Sequence, residues 1–274
     1  MILRMLALLI FLTLSASAST LVTDIDDTIK MTDVSDLGLT VIRGLFGAPA
    51  FAGMATLYGA MDPEHELIAL SGGPQFTAGK VKRFLDDSGF HASIVLLKPS
   101  LFDNTSDHKV RWLNKLAEQR GGGFILVGDD TEKDPESFER FRAMHADRVT
   151  AMYIRIVVDR PVPDGIKRFH TALDIADEEF LAGRLSSADF MKVGLDLLQA
   201  PDDTFLPEYA ACPLRYLTDD RIHDAAVAGM RHAVGRRLLK LCGKRYSNPN
   251  WRRFYDRKRR RGLPQHGFAQ QGFE

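Results

Sequence analysis

Residues 21–30 of this chain read Leu21-Val22-Thr23-Asp24-Ile25-Asp26-Asp27-Thr28-Ile29-Lys30. Its apolar run ends in acidic side chains, which predicts a buried strand followed by a polar loop. Open α/β sheets carry their chemistry at the carboxyl ends of strands. Asp24 and Asp26 lie two positions apart, so an extended backbone would point both carboxylates the same way. Such a pair is costly unless a cation lies between the charges or one group holds a proton. The stretch therefore indicates a magnesium ion and a general acid, with an acidic turn after an edge strand as the alternative.

Strands and helices alternate along the following part of the chain. The predicted elements are a loop at 31–48, strands at 66–70, 92–97, 124–127 and 149–157, and helices at 49–60, 77–87, 107–119 and 135–146. This alternation predicts an α/β fold with a doubly wound parallel sheet. The connections are too short for a large cap domain, which favours an open site. We expect the sheet to end near Asp159, before Pro161 and Pro163.

The predicted domain organisation follows from these patterns. Residues 1–18 form a signal peptide, residues 19–159 the catalytic domain, residues 160–243 a mostly helical C-terminal extension and residues 244–274 a basic tail. The extension is assigned from apolar side chains at roughly helical spacing, interrupted by prolines. The tail loses that spacing and becomes basic, then rich in Gly and Gln.

The N-terminus has the composition of a secretory signal. Arg4 precedes the apolar stretch Leu6 to Leu14, and Ala16-Ser17-Ala18 offers small residues for cleavage. We therefore expect an exported protein, periplasmic or secreted; the alternatives are an uncleaved anchor or a buried first strand. In an oxidising compartment the two cysteines, Cys212 and Cys242, either form one disulfide or remain thiols.

Charge is unevenly distributed although the formal net charge is zero. From residue 221 onward there are 14 basic and three acidic residues, a net charge of +11, so the rest of the chain carries −11. The final basic residues alternate with Tyr246, Trp251, Phe254 and Tyr255. Basic and aromatic side chains together suit an anionic membrane surface. Nucleic acid is a less favoured partner, and a disordered solubilising tail is a further alternative.

Four polar elements follow successive predicted strands. They are Asp24-x-Asp26-x-Thr28, then Ser71 in Ser71-Gly72-Gly73-Pro74, then Lys109 at the start of a helix, and finally Gly128-Asp129 with Asp134. Each element alone is weak evidence for a functional site, because an ordinary turn, a solvated lysine or a helix cap would also explain it. The four elements in this order resemble the haloacid dehalogenase superfamily of phosphohydrolases and phosphotransferases. The resemblance covers about residues 20–158 and implies that superfamily's parallel sheet.

The resemblance assigns the reacting groups. It implies that Asp24 is the nucleophile, which takes the phosphoryl group as an aspartyl phosphate. Asp26 would protonate the leaving alcohol and then deprotonate the attacking water. Lys109 would neutralise charge on the nucleophile and the phosphoryl group.

The resemblance also assigns the binding groups. Ser71 would hydrogen-bond a phosphoryl oxygen, with Gly72 beside it, and Thr28 would hold the loop that receives substrate. The implied Mg²⁺ ligands are the side chains of Asp24, Asp129 and Asp134 with the backbone carbonyl of Asp26. Hard oxygen ligands of this kind suit magnesium.

A narrower resemblance concerns longer motifs. The segments 24–34, Ser71-Gly72-Gly73-Pro74 and 128–135 resemble the phosphatidate phosphatase catalytic domain of the yeast actin-patch type. That family usually has Trp after the Ser-x-x-Pro element, where this chain has Gln75-Phe76. The prediction is a Mg²⁺-dependent phosphomonoesterase, a phosphatase acting on a phospholipid such as phosphatidate. The alternatives are another phosphomonoester, such as a nucleic-acid end or a phosphoprotein, and a non-catalytic protein that binds anionic lipid.

Overall fold

The computed structural model describes residues 19–33, 47–62, 66–100, 102–213, 222–250 and 253. In this part of the chain six parallel strands form one sheet in the order β3-β2-β1-β4-β5-β6. The strands are β1 (Thr20–Thr23), β2 (Leu67–Pro74), β3 (Ala92–Lys98), β4 (Phe124–Asp129), β5 (Val149–Arg155) and β6 (Lys167–Phe169). The predicted α/β class with a parallel sheet is confirmed. The predicted signal peptide, most of the 31–48 loop and nearly all of the tail beyond residue 250 lie outside the described residues.

Helices cover the sheet and make up most of the C-terminal part. They are α1 (Met54–Met61), α2 (Ala78–Asp87), α3 (Thr105–Gln119), α4 (Asp134–Met144), α5 (Ala172–Leu181), α6 (Ser187–Gln199), α7 (Asp202–Phe205) and α8 (Ala225–Tyr246). No helix in the described ranges is long and apolar enough to cross a membrane.

The two faces of the sheet bury different sets of apolar side chains. Alternation along β1 sends Leu21 into a core formed with α1, α2 and the C-terminal helices, and Val22 into a core formed with α3 and α4. The C-terminal helices therefore share a core with the sheet. The strand order reverses between β1 and β4, and this topological switch point is where open α/β sheets bind ligands.

The first helix begins later than predicted. Residues 49–51 pair with the loop after β1: the amide of Met31 donates to Pro49 O at 3.0 Å, and the amide of Phe51 donates to Ile29 O at 2.9 Å. Gly53 then takes a left-handed conformation with φ of 76°, and the helix starts at Met54. Extended pairing with the loop after β1 has displaced the first turns of the predicted helix.

The sheet also extends further than predicted. β6 pairs with β5, so the expectation that the sheet ends near Asp159 was wrong. Pro161 and Pro163 lie in the connection between these two strands and interrupt only the local structure. The division of the chain into domains stays a prediction.

The start of the predicted basic tail belongs to a packed helix. α8 runs through Tyr246, three residues past Gly243, and Arg245 is buried. One Arg245 nitrogen donates to Pro207 O at 3.0 Å, and another contacts Leu206 O. Cys242, also on α8, forms a disulfide with Cys212, so the two cysteines are paired and are not free thiols.

Candidate active site

Three buried carboxylates meet at the switch point of the sheet. Asp24 follows β1, Asp129 ends β4, and Asp134 begins α4. Parallel pairing brings the first two together, because Thr23 lies opposite Val127 and the amide of Asp24 donates to Val127 O at 2.8 Å. The three side chains offer oxygen atoms that all lie within 4.8 Å of one another. Such a cluster of hard oxygen donors fits a divalent cation.

Lys109 lies among these carboxylates and is 1% exposed. Its Nζ donates to Asp24 Oδ1 at 2.6 Å and also forms an ion pair with Asp134 Oδ1. Asn104 caps the N-terminus of α3, which carries Lys109, by accepting from the Asp107 amide at 3.0 Å. When ionised, the three carboxylates and Lys109 together carry a net charge of −2. A bound divalent cation would neutralise that residual charge.

Burial and mutual repulsion shift the pKa values of these groups. Burial, with the charges of Asp134 and Asp129, raises the pKa of Asp24 well above its usual range, against the opposing effect of Lys109. Burial, with Asp134 and Asp27, likewise raises the pKa of Asp129. Burial alone would lower the pKa of Lys109, but the carboxylates of Asp134 and Asp24 raise it well above normal. Lys109 is therefore a cation. Its single positive charge does not offset the burial and mutual repulsion of the carboxylates, whose pKa values remain raised.

Thr28 joins the ends of β1 and β4. Its hydroxyl lies 3.3 Å from Asp24 Oδ2 and 3.1 Å from Asp129 Oδ2, and its side chain is fully buried. The structure therefore brings Thr28 together with the predicted nucleophile and a predicted metal ligand.

Asp26 lies apart from the carboxylate cluster. Its side chain is half-buried, and Oδ1 accepts a 2.7 Å hydrogen bond from the hydroxyl of Thr32. Among the described residues, the group of side chains that could hold a metal does not include Asp26. A carboxyl group held beside the cluster, outside its ligand set, suits proton transfer better than metal binding. The predicted ligation by the Asp26 backbone carbonyl stays a prediction.

The Ser71 element is an extension of β2, which runs four residues further than predicted. Ser71 Oγ accepts from the Gly73 amide at 2.9 Å, which leaves its own hydrogen to donate. A Cβ on Gly72 would lie 2.8 Å from Glu132 Oε2, so the Glu132 side chain would have to shift to admit one. Gly72 thus lets the β2 end approach the loop between Asp129 and Asp134.

Asp27 is a site residue to which sequence reasoning gave no role. It is fully buried, and its φ of 56° makes a sharp turn between Asp26 and Thr28. Its Oδ1 accepts from the amides of Thr32 at 3.0 Å and Asp33 at 2.6 Å. It also accepts from the hydroxyl of Tyr209 at 2.9 Å, across 182 residues of sequence. The third acid of the motif was a signal for Asp27, whereas no sequence signal marked Tyr209.

Arg155, at the end of β5, supports the loop after β1 that contains Thr28. Its Nε donates to Thr28 O at 2.9 Å, and its guanidinium lies over the rings of Phe51 and Phe169, at 3.8 and 4.6 Å from their centroids. Burial lowers the pKa of Arg155 to about 10, so it remains charged at neutral pH. Only the pairing of β5 with its neighbours reveals this role.

Two further residues shape the loop after β4. A Cβ on Gly128 would lie 2.6 Å from the side chain of Asp134, so only glycine lets Asp134 turn back over the strand. Asp130 is buried and accepts from the amides of Val157, Val158 and Arg160 at 2.7, 2.9 and 2.9 Å. Asp130 therefore fastens this loop to the segment after β5.

Comparison with protein-family models matches residues 19–156 to the family described as phosphatidate phosphatase APP1, catalytic domain. The matched range is half of the chain, and it contains the carboxylate cluster, Lys109, Thr28 and Ser71. Comparisons with curated proteins and with solved structures found no match.

Proposed function

The chain belongs to the phosphatidate phosphatase APP1 catalytic-domain family, a family of phosphatases, and we propose that it hydrolyses a membrane phospholipid such as phosphatidate through an aspartyl phosphate. The observation that carries the proposal is the buried contact of Asp24 with Lys109 at 2.6 Å, beside Asp129 and Asp134. A carboxylate held against a lysine and further oxygen ligands suits attack on an anionic phosphoryl group.

The first step transfers the phosphoryl group to the protein. A carboxylate oxygen of Asp24 forms a bond to phosphorus, and the bond from phosphorus to the leaving alcohol oxygen breaks. Asp26 gives its proton to that oxygen, so that a neutral alcohol leaves. Lys109 balances the charge near Asp24, while Ser71 donates to a phosphoryl oxygen.

The second step regenerates the enzyme. Asp26, now a carboxylate, takes a proton from a water molecule as the water oxygen bonds to phosphorus. The bond from phosphorus to Asp24 breaks, which releases inorganic phosphate and restores both carboxyl groups. One group serves both steps because it is the acid in the first and the base in the second.

Mg²⁺ is the proposed cofactor. The side chains of Asp24, Asp129 and Asp134 would hold it, together with the backbone carbonyl of Asp26. Held there, the ion would supply positive charge that offsets the charge of the phosphoryl group. The fit rests on the three mutually close oxygen donors and their residual negative charge.

The lipid substrate is proposed from the family and from charge. The segment after residue 250 contains Arg252, Arg253 and five consecutive basic residues at 257–261. Such segments gain about 1 kcal/mol per Lys or Arg near an anionic membrane, and salt weakens the attraction. We include export to the periplasm or the medium in the proposal, on the composition of residues 1–18.

A phosphate-release screen tests the function. Purified protein is given phosphatidate in mixed micelles, an aryl phosphate, nucleotides, a phosphopeptide and sugar phosphates, each with MgCl₂ or with a chelator. The proposal expects magnesium-dependent release that is greatest with phosphatidate. Release from nucleotides or phosphopeptides but not from phosphatidate would favour the alternative substrate classes. Absence of release from every substrate would favour a non-catalytic lipid-binding protein.

Truncation after Asn250 tests the tail. This boundary keeps Arg245 and Tyr246, which pack against residues 206–212. The truncated protein should bind anionic vesicles more weakly at low salt and should keep its activity on an aryl phosphate. Unchanged vesicle binding would remove the tail from the proposal.

A further inference from the structure

Two phenylalanine side chains are strongly exposed. Phe76 is 78% exposed and Phe102 is 97% exposed, whereas Phe90, Phe124, Phe141 and Phe169 lie in the core. Exposed apolar side chains of this size are unfavourable in water, and a cluster of them marks an interaction surface. Their placement in the fold indicates the partner.

Both side chains lie on the edge of the sheet that carries the active site. Phe76 is in the short turn Gln75–Thr77 directly after β2, and Phe102 is in the connection after β3. These strands are neighbours, and Pro74 lies opposite Lys98 where the two connections begin. The carboxyl ends of parallel strands meet at one edge, so both phenylalanines lie at the same edge of the sheet as Ser71.

The Phe102 connection is held against the site. Lys98 Nζ donates to Asp103 O at 3.1 Å and to Thr105 Oγ1 at 3.2 Å. A Cβ on Gly72 would lie 2.8 Å from Thr105 Cγ2, so the first residue of α3, which ends this connection, lies against the end of β2 beside Ser71. The first of these bonds holds the backbone directly after Phe102 beside the site, while the Phe102 side chain stays exposed to a partner.

The surroundings of Phe76 are basic. Lys80, Lys82 and Arg83 are exposed in the first turns of α2, and residues 75–83 contain no acidic residue. Lys82 forms an ion pair with Asp86, one turn further along the helix. Aromatic side chains beside basic ones match the apolar interior and the anionic headgroups of a phospholipid surface.

We propose that Phe76 and Phe102 insert into the surface of an anionic phospholipid bilayer and hold the edge of the sheet that carries the active site against it. The inference rests on the proposed function, since the lipid phosphomonoester then reaches Asp24 without leaving the membrane. It assigns membrane contact to the rim of the site, separately from the basic tail.

The test is a double substitution, Phe76→Ser with Phe102→Ser, in the full chain. Binding is measured by flotation with phosphatidylcholine vesicles containing phosphatidylglycerol, which supply anionic charge without a phosphomonoester. The double variant should bind these vesicles at least roughly tenfold more weakly. Its activity on phosphatidate in vesicles should fall in parallel, while activity on a soluble aryl phosphate should not change.

Matched variants distinguish membrane insertion of Phe76 and Phe102 from a general effect of removing exposed apolar side chains. Leu195→Ser removes another exposed apolar side chain, on α6, and should leave vesicle binding unchanged. Phe76→Trp with Phe102→Trp should keep binding and show a blue shift of fluorescence, quenched by brominated lipid. Vesicle binding of the serine variant equal to that of the wild type would overturn the proposal. If the serine variant loses binding but the wild type hydrolyses no phosphate ester, the membrane contact stands and the proposed function fails.

Discussion

The hydroxyl of Tyr209 donates a 2.9 Å hydrogen bond to Oδ1 of Asp27. The same oxygen accepts from the amide of Thr32, whose hydroxyl donates to Asp26 at 2.7 Å. A side chain outside the matched catalytic range thus contacts the loop that holds the proposed general acid. The segment around Tyr209 is fastened in turn by Arg245 and by the disulfide of Cys212.

Tyr209→Phe removes one donor from a buried carboxylate and keeps the ring. A hydrogen bond to a charged group contributes about 1.5–3 kcal/mol, so the free energy of unfolding should fall by a similar amount. Loosening of Asp26 should lower kcat on an alkyl phosphate about tenfold with little change in KM. The control is Tyr246→Phe, which removes a hydroxyl that donates to Cys212 O. Equal kcat losses in both variants would contradict a specific effect through Asp27.

Asp24→Asn removes the proposed nucleophile. Turnover should fall at least about thousandfold on every substrate, because no attacking carboxylate remains. The melting temperature and circular dichroism should show an intact fold. Asp86→Asn, at an exposed position on α2, should remain fully active. Retention of several per cent of the activity by the Asp24 variant would exclude the covalent mechanism.

Asp26→Asn removes the proposed acid and base. Hydrolysis of an alkyl phosphate should fall more than that of an aryl phosphate, whose good leaving group needs less protonation. Rapid-quench measurements should show slower breakdown of the phosphoenzyme. Thr32→Val, which removes only the hydroxyl that contacts Asp26, should give the same pattern with a smaller loss. Equal losses on both substrate types would argue against Asp26 as the acid.

Stability of the metal-free protein should depend on pH through Asp24 and Asp129. The pKa values of both groups in the folded state lie above the usual 3.8. Between pH 3.8 and those raised values, the folded state therefore binds more protons than the unfolded chain. Their contribution to the free energy of unfolding therefore falls as pH rises through that window. Added MgCl₂ should raise the melting temperature more near neutral pH than at about pH 5. Asp129→Asn should reduce both the pH dependence of stability and the rise in melting temperature with MgCl₂. An unchanged rise with MgCl₂ would contradict ligation by Asp129.

The disulfide should stabilise the C-terminal part. It joins positions 30 residues apart, for which the loss of unfolded-state entropy corresponds to about 3.6 kcal/mol. Replacing both cysteines by Ala should lower the free energy of unfolding by about that amount, measured by denaturant titration. A reductant should destabilise the wild type and leave the double variant unaffected. Equal stability of oxidised and reduced wild type would exclude this contribution.

The sequence predicted the parts of the fold that depend on local pattern. The strand after residue 19, the helix carrying Lys109 and the alternation of strands with helices follow from apolar periodicity. It did not predict β6, because three residues after two prolines carry too little periodicity to mark a strand. The start of α1 was also missed, since pairing of residues 49–51 with the loop after β1 is a tertiary contact.

Sequence reasoning was enough to place Asp24, Lys109 and Asp129 at one site. Asp24, Ser71, Lys109 and Asp129 follow successive strands, and a parallel sheet brings those strand ends to one edge. Tertiary structure alone decided how the site is supported. Tyr209 lies 182 residues from Asp27 and Arg155 lies 127 residues from Thr28, so neither contact has a local signal. The physical reason is that backbone periodicity is set within a few neighbouring residues, whereas buried polar groups find their partners only when distant elements pack together.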